Sequence, residues 1–272
     1  MSGDFRLLIA APSRVPDWWR TGKVLAPPLL LPHLAGLTPP GTIITLVDEN
    51  VESIDPRVDV DMVALTCMTA SAPRAYDIAD AFRERGIPVV MGGIHPTVMP
   101  EEAGLHADAV IVGEAELVWK KVLADAARGN LHKVYRNAEF CDMRGLPLPR
   151  RDLLQHRDRY LTVNLVQTSR GCPYGCIFCS VRTVAGKRYR LRPVPEVYEE
   201  VRALEQGWVG FVDDNIAGNH DRAKELFKAL IPLKRLWVGQ ADLDIANDPD
   251  LLRLAALSGC QAMFIGLESL SQ

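Results

Sequence analysis

Three cysteines, Cys172, Cys176 and Cys179, fall within eight residues and have the spacing C-x3-C-x2-C. They follow a predicted strand, Tyr160 to Gln167, in a segment that contains glycines and a proline. Cysteine thiolates ligate the irons of iron–sulfur clusters, and a sharply turning loop can present three sulfurs to three corners of a 4Fe–4S cube. Because no fourth cysteine lies nearby, the fourth iron is open to a ligand that is not protein.

A structural zinc site and a redox pair are the two other uses that these thiols could have. A structural zinc site has four protein ligands, usually in two paired halves, whereas the remaining cysteines, Cys67, Cys141 and Cys260, are scattered along the chain. A redox pair formed by Cys176 and Cys179 leaves Cys172 without a role. The motif and its position after a strand therefore favour the open cluster over zinc or a redox pair.

The segment from Thr168 to Cys179, TSRGCPYGCIFC, resembles the signature of radical S-adenosylmethionine (radical SAM) enzymes. The resemblance implies that SAM chelates the open iron through its amino and carboxylate groups. It also implies that one electron from the cluster cleaves SAM to methionine and a 5′-deoxyadenosyl radical. Phe178, the aromatic residue before the last cysteine, is expected near the adenine.

Composition sets broad limits on the function. A length of 272 residues predicts one or two domains. The formal net charge of −3 gives no electrostatic reason to expect nucleic acid or an anionic membrane as a partner. The N-terminus lacks a signal-peptide pattern, no apolar run is long enough to cross a membrane, and the cysteines are not arranged as a disulfide framework. We therefore expect a cytoplasmic protein.

Strands alternate with helices in the first half, which predicts a doubly wound parallel sheet whose ligands bind beyond the carboxyl ends of the strands. The motif from Gly92 to Thr97, GGIHPT, and the motif from Gly113 to Glu116, GEAE, resemble the cobalamin-binding domain that precedes the radical SAM domain in one subfamily. The resemblance implies a cobalamin site that involves Thr66, Ser71, Gly92, Gly93, His95, Gly113 and Glu114.

One feature of that family is missing. The D-x-H-x-x-G signature, whose histidine ligates cobalt, does not follow the first strand, and His33 lies too far along the chain to replace it. We interpret His95 as a loop residue before Pro96 rather than a cobalt ligand. A domain of this type that binds no cobalamin is the alternative.

The second half repeats the alternation of strands and helices, and polar residues follow its strands, as at the catalytic rim of a (β/α) barrel. The resemblance implies that Asp213, Asp214 and Asn215 border the amino group of SAM. It also implies SAM or substrate contacts at Gln240, Asp242 and Glu268. We predict a cobalamin-binding-type domain over 1–128, a linker over 129–159 and a partial (β/α)6 radical SAM barrel over 160–272.

Only four strand–helix units of that barrel are visible, so we expect a chain that lacks the C-terminal part of the family, and the sequence leaves open whether the chain is active as it stands. The resemblance implies cobalamin-dependent methyl transfer to an unactivated carbon of a small-molecule, lipid or natural-product substrate, with flavodoxin or ferredoxin as reductant. The alternatives are a radical cyclase or rearrangement enzyme, and a non-catalytic corrinoid- or metal-binding protein. No residue is assigned as a catalytic acid or base.

Overall fold

The computed structural model describes residues 5–13, 23–137 and 139–268. The chain forms two compact units, one from Met1–Cys141 with Pro147–Val163 and one from Asp142–Leu146 with Asn164–Gln272. Within these described ranges, no helix has both the length and the apolar content needed to span a membrane.

The first unit is built on a six-stranded, fully parallel sheet with the order β2-β1-β3-β4-β5-β6. Its strands are β1 (Phe5–Ala11), β2 (Thr42–Asp48), β3 (Met62–Thr66), β4 (Val89–Gly92), β5 (Ala109–Val112) and β6 (Val134–Arg136). The order reverses at β1, which pairs with both β2 and β3, as in a doubly wound fold.

Both faces of this sheet are buried. Along β1, Leu7 and Ile9 belong to one apolar cluster whereas Leu8 and Ala10 belong to another. Because successive side chains of a strand point to opposite faces, the two clusters lie on opposite sides of the sheet. The sheet is covered by α1 (Leu30–Leu37), α2 (Ala72–Glu84), α3 (Ile94–Val98), α4 (Pro100–His106) and α5 (Trp119–Ala126).

The segment after β4 differs from its prediction. His95 was expected in a loop, but it lies in the short helix α3, and α4 follows almost directly. Prolines suit the first turn of a helix because the missing N–H group has no partner there in any case. Pro100, at the start of α4, therefore begins a helix instead of extending a loop.

The segment predicted as a linker, 129–159, lies largely in the first unit. Its strand β6 pairs with β5, and Tyr135 within it is buried and donates a hydrogen bond to Asp125, 2.8 Å away. Short 3-10 turns follow at Arg151–Leu153 and Arg157–Arg159. The predicted strand from Tyr160 to Gln167 is also shorter than expected, because only Leu165–Val166 joins the sheet of the second unit.

The second unit contains a four-stranded parallel sheet with the order β12-β11-β10-β7. A two-stranded antiparallel pair, β8 with β9, lies outside that sheet. The strands are β7 (Leu165–Val166), β8 (Ser169–Arg170), β9 (Arg190–Leu191), β10 (Val209–Phe211), β11 (Trp237–Ala241) and β12 (Cys260–Ile265).

Helices connect these parallel strands, as expected for consecutive β/α units of a barrel. They are α6 (Val181–Val184), α7 (Val194–Ala203), α8 (His220–Leu230) and α9 (Pro249–Leu257). Val197, Phe227 and Leu251, from three helices, pack in one cluster with Trp237 of β11. At the start of α9, Asp248 accepts a hydrogen bond from the backbone N–H of Leu251, 3.0 Å away, as its position before a proline predicts. The predicted α/β fold, a doubly wound sheet followed by a partial barrel, is confirmed.

Candidate functional site

The three clustered cysteines lie in an open loop between β8 and α6. Cys176 is exposed, and Cys172 and Cys179 are half-buried. The backbone N–H of Cys179 donates to the carbonyl of Cys176, 3.1 Å away, so the last two cysteines share one turn. Phe178 is 66% exposed, which leaves its ring free to contact a ligand. The loop thus offers thiols and an aromatic ring at the surface of the second unit.

A single zinc ion and a 4Fe–4S cluster differ in the ligands they need. A structural zinc ion takes four protein ligands, whereas the cysteine loop offers three thiols. Among the described residues, one group of three potential metal ligands has its ligand atoms within 4.8 Å of one another, and it comprises Glu114, Glu116 and Cys141, outside the cysteine loop.

The other cysteines provide a contrast. Cys67 and Cys141 are buried, and the six cysteines, all of which are described residues, form no disulfide. Burial raises the pKa of the Cys67 thiol to about 11, and it does the same for Cys260. A thiol with a raised pKa is a poor metal ligand at neutral pH because the thiolate is the ligating form.

Asp213 follows β10 and is fully internal. It is 2% exposed, and its carboxylate accepts hydrogen bonds from the backbone N–H and the hydroxyl of Thr168, at 3.0 and 2.9 Å, and from the Ser169 hydroxyl. Burial raises the pKa of Asp213 to about 6, although these hydrogen bonds act in the opposite direction. The carboxylate therefore ties β10 to the segment that leads into the cysteine loop.

Asp214 contacts the cysteine loop directly. Its carboxylate accepts a hydrogen bond from the backbone N–H of Gly171, 3.0 Å away, and burial raises its pKa. The Gln240 side chain donates to the Asp214 carbonyl over 3.2 Å. Gln240 is thus brought next to Asp214 from the neighbouring strand.

Asn215 is buried between the cysteine loop and the end of β11. Its side-chain amide lies 3.8 Å from the Cys172 sulfur and also donates to the Asp242 carboxylate. Asp242 in turn accepts from the backbone N–H of Asp244, 2.7 Å away, at the start of a 3-10 turn. The structure thus brings Asp213, Asp214, Asn215, Gln240 and Asp242 together around the residues that precede and begin the cysteine loop.

Glu268, in contrast, is exposed and lies beyond the end of β12. Within the described residues 139–268, no hydrogen bond joins its side chain to the cysteine loop. Its role, like that of Phe178, stays a prediction.

In the first unit, the glycine pair after β4 is shaped by close packing. Gly93 has φ +99°, and a Cβ placed on it would lie 2.7 Å from the Thr66 hydroxyl and 3.1 Å from the Cys67 carbonyl. A side chain there would be strained both by the backbone and by the neighbours. Gly92 has no such constraint, because its nearest contact would be an ordinary 3.7 Å to Ile111. Gly93 therefore brings the ends of β3 and β4 into contact.

His95 is held inside the protein. It is 4% exposed, its Nε2 lies 2.8 Å from the Tyr76 hydroxyl, and its Nδ1 lies 3.3 Å from the Thr69 hydroxyl. Both ring nitrogens are thus engaged, and Glu102 lies 3.6 Å from Nε2. His33 is occupied in a similar way, since its Nε2 lies 2.9 Å from Glu116. Both ring nitrogens of His95 and the Nε2 of His33 are therefore held by neighbouring side chains.

The remaining predicted cobalamin residues lie near the carboxyl ends of β3 and β5. The backbone N–H of Gly113 donates to the Thr97 hydroxyl over 3.0 Å, and that hydroxyl donates to the Gly93 carbonyl over 2.7 Å. Glu114 accepts from the backbone N–H of Cys141, 2.7 Å away. Ser71 lies in a 3-10 turn, where its hydroxyl lies 3.3 Å from the Met68 carbonyl. Thr97 thus links the two glycine loops.

Several supporting residues were not predicted. Thr168 and Ser169 hold Asp213, Thr97 links the glycine loops, and the Tyr189 hydroxyl donates to the Asn215 carbonyl over 2.6 Å. The one sequence signal for the first two was their position directly before the cysteines. Nothing local marks Tyr189, which lies 26 residues before Asn215.

Comparison with known families supports both halves of this description. Residues 44–123 match the B12 binding domain, and residues 166–272 match the Radical SAM superfamily. These matches confirm the resemblance drawn from the cysteine and glycine motifs. They also support the predicted cofactors, since radical SAM domains use a 4Fe–4S cluster and SAM and the other domain is a cobalamin-binding type.

Curated relatives extend over both units. The chain is 33% identical over 255 residues to bacteriochlorophyllide d C-12(1)-methyltransferase of Chlorobaculum tepidum, covering 90% of this chain and 56% of that protein. It is 32% identical over 259 residues to bacteriochlorophyllide d C-8(2)-methyltransferase of the same organism, covering 88% and 57%. It is 28% identical over 259 residues to hopanoid C-2 methylase of Rhodopseudomonas palustris, covering 89% and 49%. The chain thus spans about half the length of these relatives.

Proposed function

We propose that this chain, which belongs to the radical SAM proteins that carry a B12-binding domain, takes part in methyl transfer to an unactivated carbon of a small-molecule or lipid substrate. The observation that carries the proposal is the cysteine loop of the second unit. It offers three free thiols, at least partly exposed, directly beside a set of buried carboxylate and amide groups.

In this proposal Cys172, Cys176 and Cys179 hold a 4Fe–4S cluster. The three thiolates would bind three irons and would leave the fourth iron open to SAM. Asp213 positions the strand that enters the loop, because its carboxylate accepts three hydrogen bonds from Thr168 and Ser169. Gln240 and Asp242, which contact Asp214 and Asn215, are proposed to contact SAM, and the exposed ring of Phe178 would supply an apolar surface for its adenine.

The first unit is proposed to bind cobalamin beyond the carboxyl ends of β3, β4 and β5. Gly93 and Gly113 both have positive φ, at +99° and +89°, a backbone conformation that favours glycine, and they shape the turns at this edge. His95 shapes this edge from within and does not ligate cobalt, because both of its nitrogens are engaged.

When bound, the cluster with SAM supplies a radical that removes a hydrogen atom from an unreactive carbon, and cobalamin supplies the methyl carrier. The relatives support this assignment, since the names of two of them specify methyl transfer at bacteriochlorophyllide positions and another is a hopanoid methylase. A flavodoxin or ferredoxin would supply the electron. A cluster with an open iron also requires reducing surroundings, and we propose the cytoplasm.

Anaerobic reconstitution with iron, sulfide and hydroxocobalamin tests the proposal. We expect about four irons per chain, retention of the corrinoid through gel filtration, and 5′-deoxyadenosine when SAM and dithionite are added. Cys176→Ala should abolish both the iron and the SAM cleavage. Cys260→Ala is the matched control, because Cys260 begins β12, outside the cysteine loop, and should leave the iron unchanged.

The proposed cluster site and the proposed cobalamin site can be contradicted independently of each other. A wild-type chain that retains iron but no corrinoid contradicts methyl transfer and favours radical chemistry without cobalamin. A chain that binds corrinoid but assembles no cluster contradicts the role of the cysteine loop.

A further inference from the structure

We propose that the side-chain amide of Asn215 donates a hydrogen bond to the sulfur of Cys172 and thereby raises the reduction potential of the cluster held there. The inference rests on the proposed function, because it requires the cluster. It gives Asn215 a role in tuning the cluster that is distinct from contacting SAM. The argument depends on how firmly the amide is oriented.

Hydrogen bonds to its side chain and to its backbone fix the orientation of Asn215. Its Oδ1 accepts a hydrogen bond from the backbone N–H of Ala217 at 3.1 Å, and its backbone carbonyl accepts from the Tyr189 hydroxyl at 2.6 Å. The residue is 2% exposed, so water does not compete for these partners. Rotation of the amide by 180° would place Nδ2 against the Ala217 N–H, donor against donor. The Nδ2 group must therefore face away from Ala217.

Both protons of that Nδ2 group have acceptors. The Cys172 sulfur lies 3.8 Å away, a distance within the range for a hydrogen bond to sulfur, and the Asp242 carboxylate accepts the other proton. Sulfur is a weak acceptor as a thiol, but ionised acceptors form stronger hydrogen bonds. A cluster-bound thiolate is thus a better partner for the amide than the free thiol.

Gly218 allows the Asn215 amide to lie close to the start of the cysteine loop. A Cβ on Gly218 would lie 2.8 Å from Cδ of Pro173, the residue after Cys172, and 3.3 Å from Nδ2 of Asn215. Any side chain at position 218 would push the start of the cysteine loop away from the amide. Glycine at this position keeps Cys172 and Asn215 together.

The direction of the effect follows from charge. Reduction adds one negative charge to the cluster, and a donor on a ligating sulfur stabilises that charge, which raises the potential. Asp242 acts in the opposite direction, because its carboxylate places a negative charge near the same sulfur. Removing the amide and removing the carboxylate charge should therefore shift the potential in opposite directions. General damage to the loop would not produce opposite signs.

Redox titration of the reconstituted protein, followed by electron paramagnetic resonance without SAM, tests this. At a fixed potential, Asn215→Ala should lower the ratio of reduced to oxidised cluster about tenfold, or about 59 mV for a one-electron couple. Asp242→Asn should raise that ratio. Asn247→Ala is the control, because the Asn247 amide donates to Asp244 and not to a cysteine of the loop, and the ratio should not change. An Asn215→Ala cluster with the wild-type ratio overturns the inference.

A measurement on the wild-type chain remains decisive if Asn215→Ala fails to assemble a cluster. Protein labelled with ¹⁵N only in asparagine side chains, reduced without SAM, should show a ¹⁵N hyperfine coupling to the cluster in pulsed electron paramagnetic resonance. A wild-type cluster that lacks this coupling contradicts the inference alone. A wild-type chain that assembles no cluster contradicts the proposed function as well.

Discussion

The glycine loop of the first unit and the cysteine loop of the second differ in what they leave open. After β4, His95 is 4% exposed and bonded at both nitrogens, and Gly93 packs against Thr66 and Cys67. In the cysteine loop, by contrast, Cys176 and Phe178 are exposed, and Ile177 is fully exposed at 102%. The side chains of the glycine loop are engaged with their neighbours, whereas the cysteine loop presents ligand atoms at its surface.

The difference indicates two ways of holding a cofactor. The first unit offers backbone and shape, which suits a large ligand that is recognised over a broad surface. The second unit offers thiols, which suits a ligand held by a few strong bonds. Substitutions that change shape should therefore affect the first unit most, and substitutions that change donor atoms should affect the second.

The largest effect that would sharpen this contrast is expected for Gly93→Ala. The positive φ alone costs about 1–3 kcal/mol for a residue with a side chain, and the new Cβ would collide with the Thr66 hydroxyl. We expect a clear loss of unfolding free energy in urea and loss of corrinoid retention, with the iron content unchanged. Gly92→Ala is the matched control, because its Cβ would make an ordinary 3.7 Å contact. Equal losses in the two variants would show that the packing at Gly93 is unimportant.

The next effect concerns Asp213, whose buried carboxylate accepts hydrogen bonds from Thr168 and Ser169. Burial raises its pKa from 3.8 to about 6, so the folded chain retains a proton that the unfolded chain releases. This contribution to stability is complete below pH 3.8 and is lost as the pH rises through 6. Between pH 4.5 and 7.5, the loss of this contribution should lower the free energy of unfolding by about 2 kcal/mol.

Urea unfolding of the apo chain across this pH range measures that loss. Asp213→Asn cannot ionise and should lose correspondingly less stability over the same range, even if it is less stable at every pH because it cannot accept all three hydrogen bonds. Parallel pH profiles for the two proteins would exclude a raised pKa at Asp213.

The smallest effect is expected at His95. Because its nitrogens contact Tyr76 and Thr69, His95→Gln should cost about 1 kcal/mol of stability, the typical value of one hydrogen bond. Corrinoid retention should stay within twofold. The cob(II)alamin spectrum of both proteins should lack splitting from a histidine nitrogen. A nitrogen splitting that is present in the wild type and lost in His95→Gln would make His95 a cobalt ligand after all.

The cysteine motif and the order of strands and helices could be predicted from sequence because both depend on local spacing. Strands alternate with helices in both units, and Asp248 caps α9, as the position of an aspartate before a proline favours. In contrast, β8 and β9 have two residues each, which is too few for a periodic pattern. The strand β6 could not be predicted because it lies in a stretch that is rich in charged residues.

The sequence also could not predict which site residues are buried. The resemblance implied that Asp213 borders SAM, and a position after a strand does not reveal whether the carboxylate faces outward or inward. Its partners Thr168 and Ser169 are more than 40 residues away in sequence, and only the pairing of β7 with β10 brings them together. The same holds for Asn215 and Cys172, which are 43 residues apart.

The most direct test of the whole account compares Cys176→Ala with Gly93→Ala in a single reconstitution experiment that counts iron and corrinoid per folded chain. We predict a reciprocal result, in which Cys176→Ala loses its iron and keeps the corrinoid, whereas Gly93→Ala keeps its iron and loses the corrinoid. If Gly93→Ala retained the corrinoid, or if Cys176→Ala retained about four irons, the assignment of the two cofactors to the two loops would be contradicted.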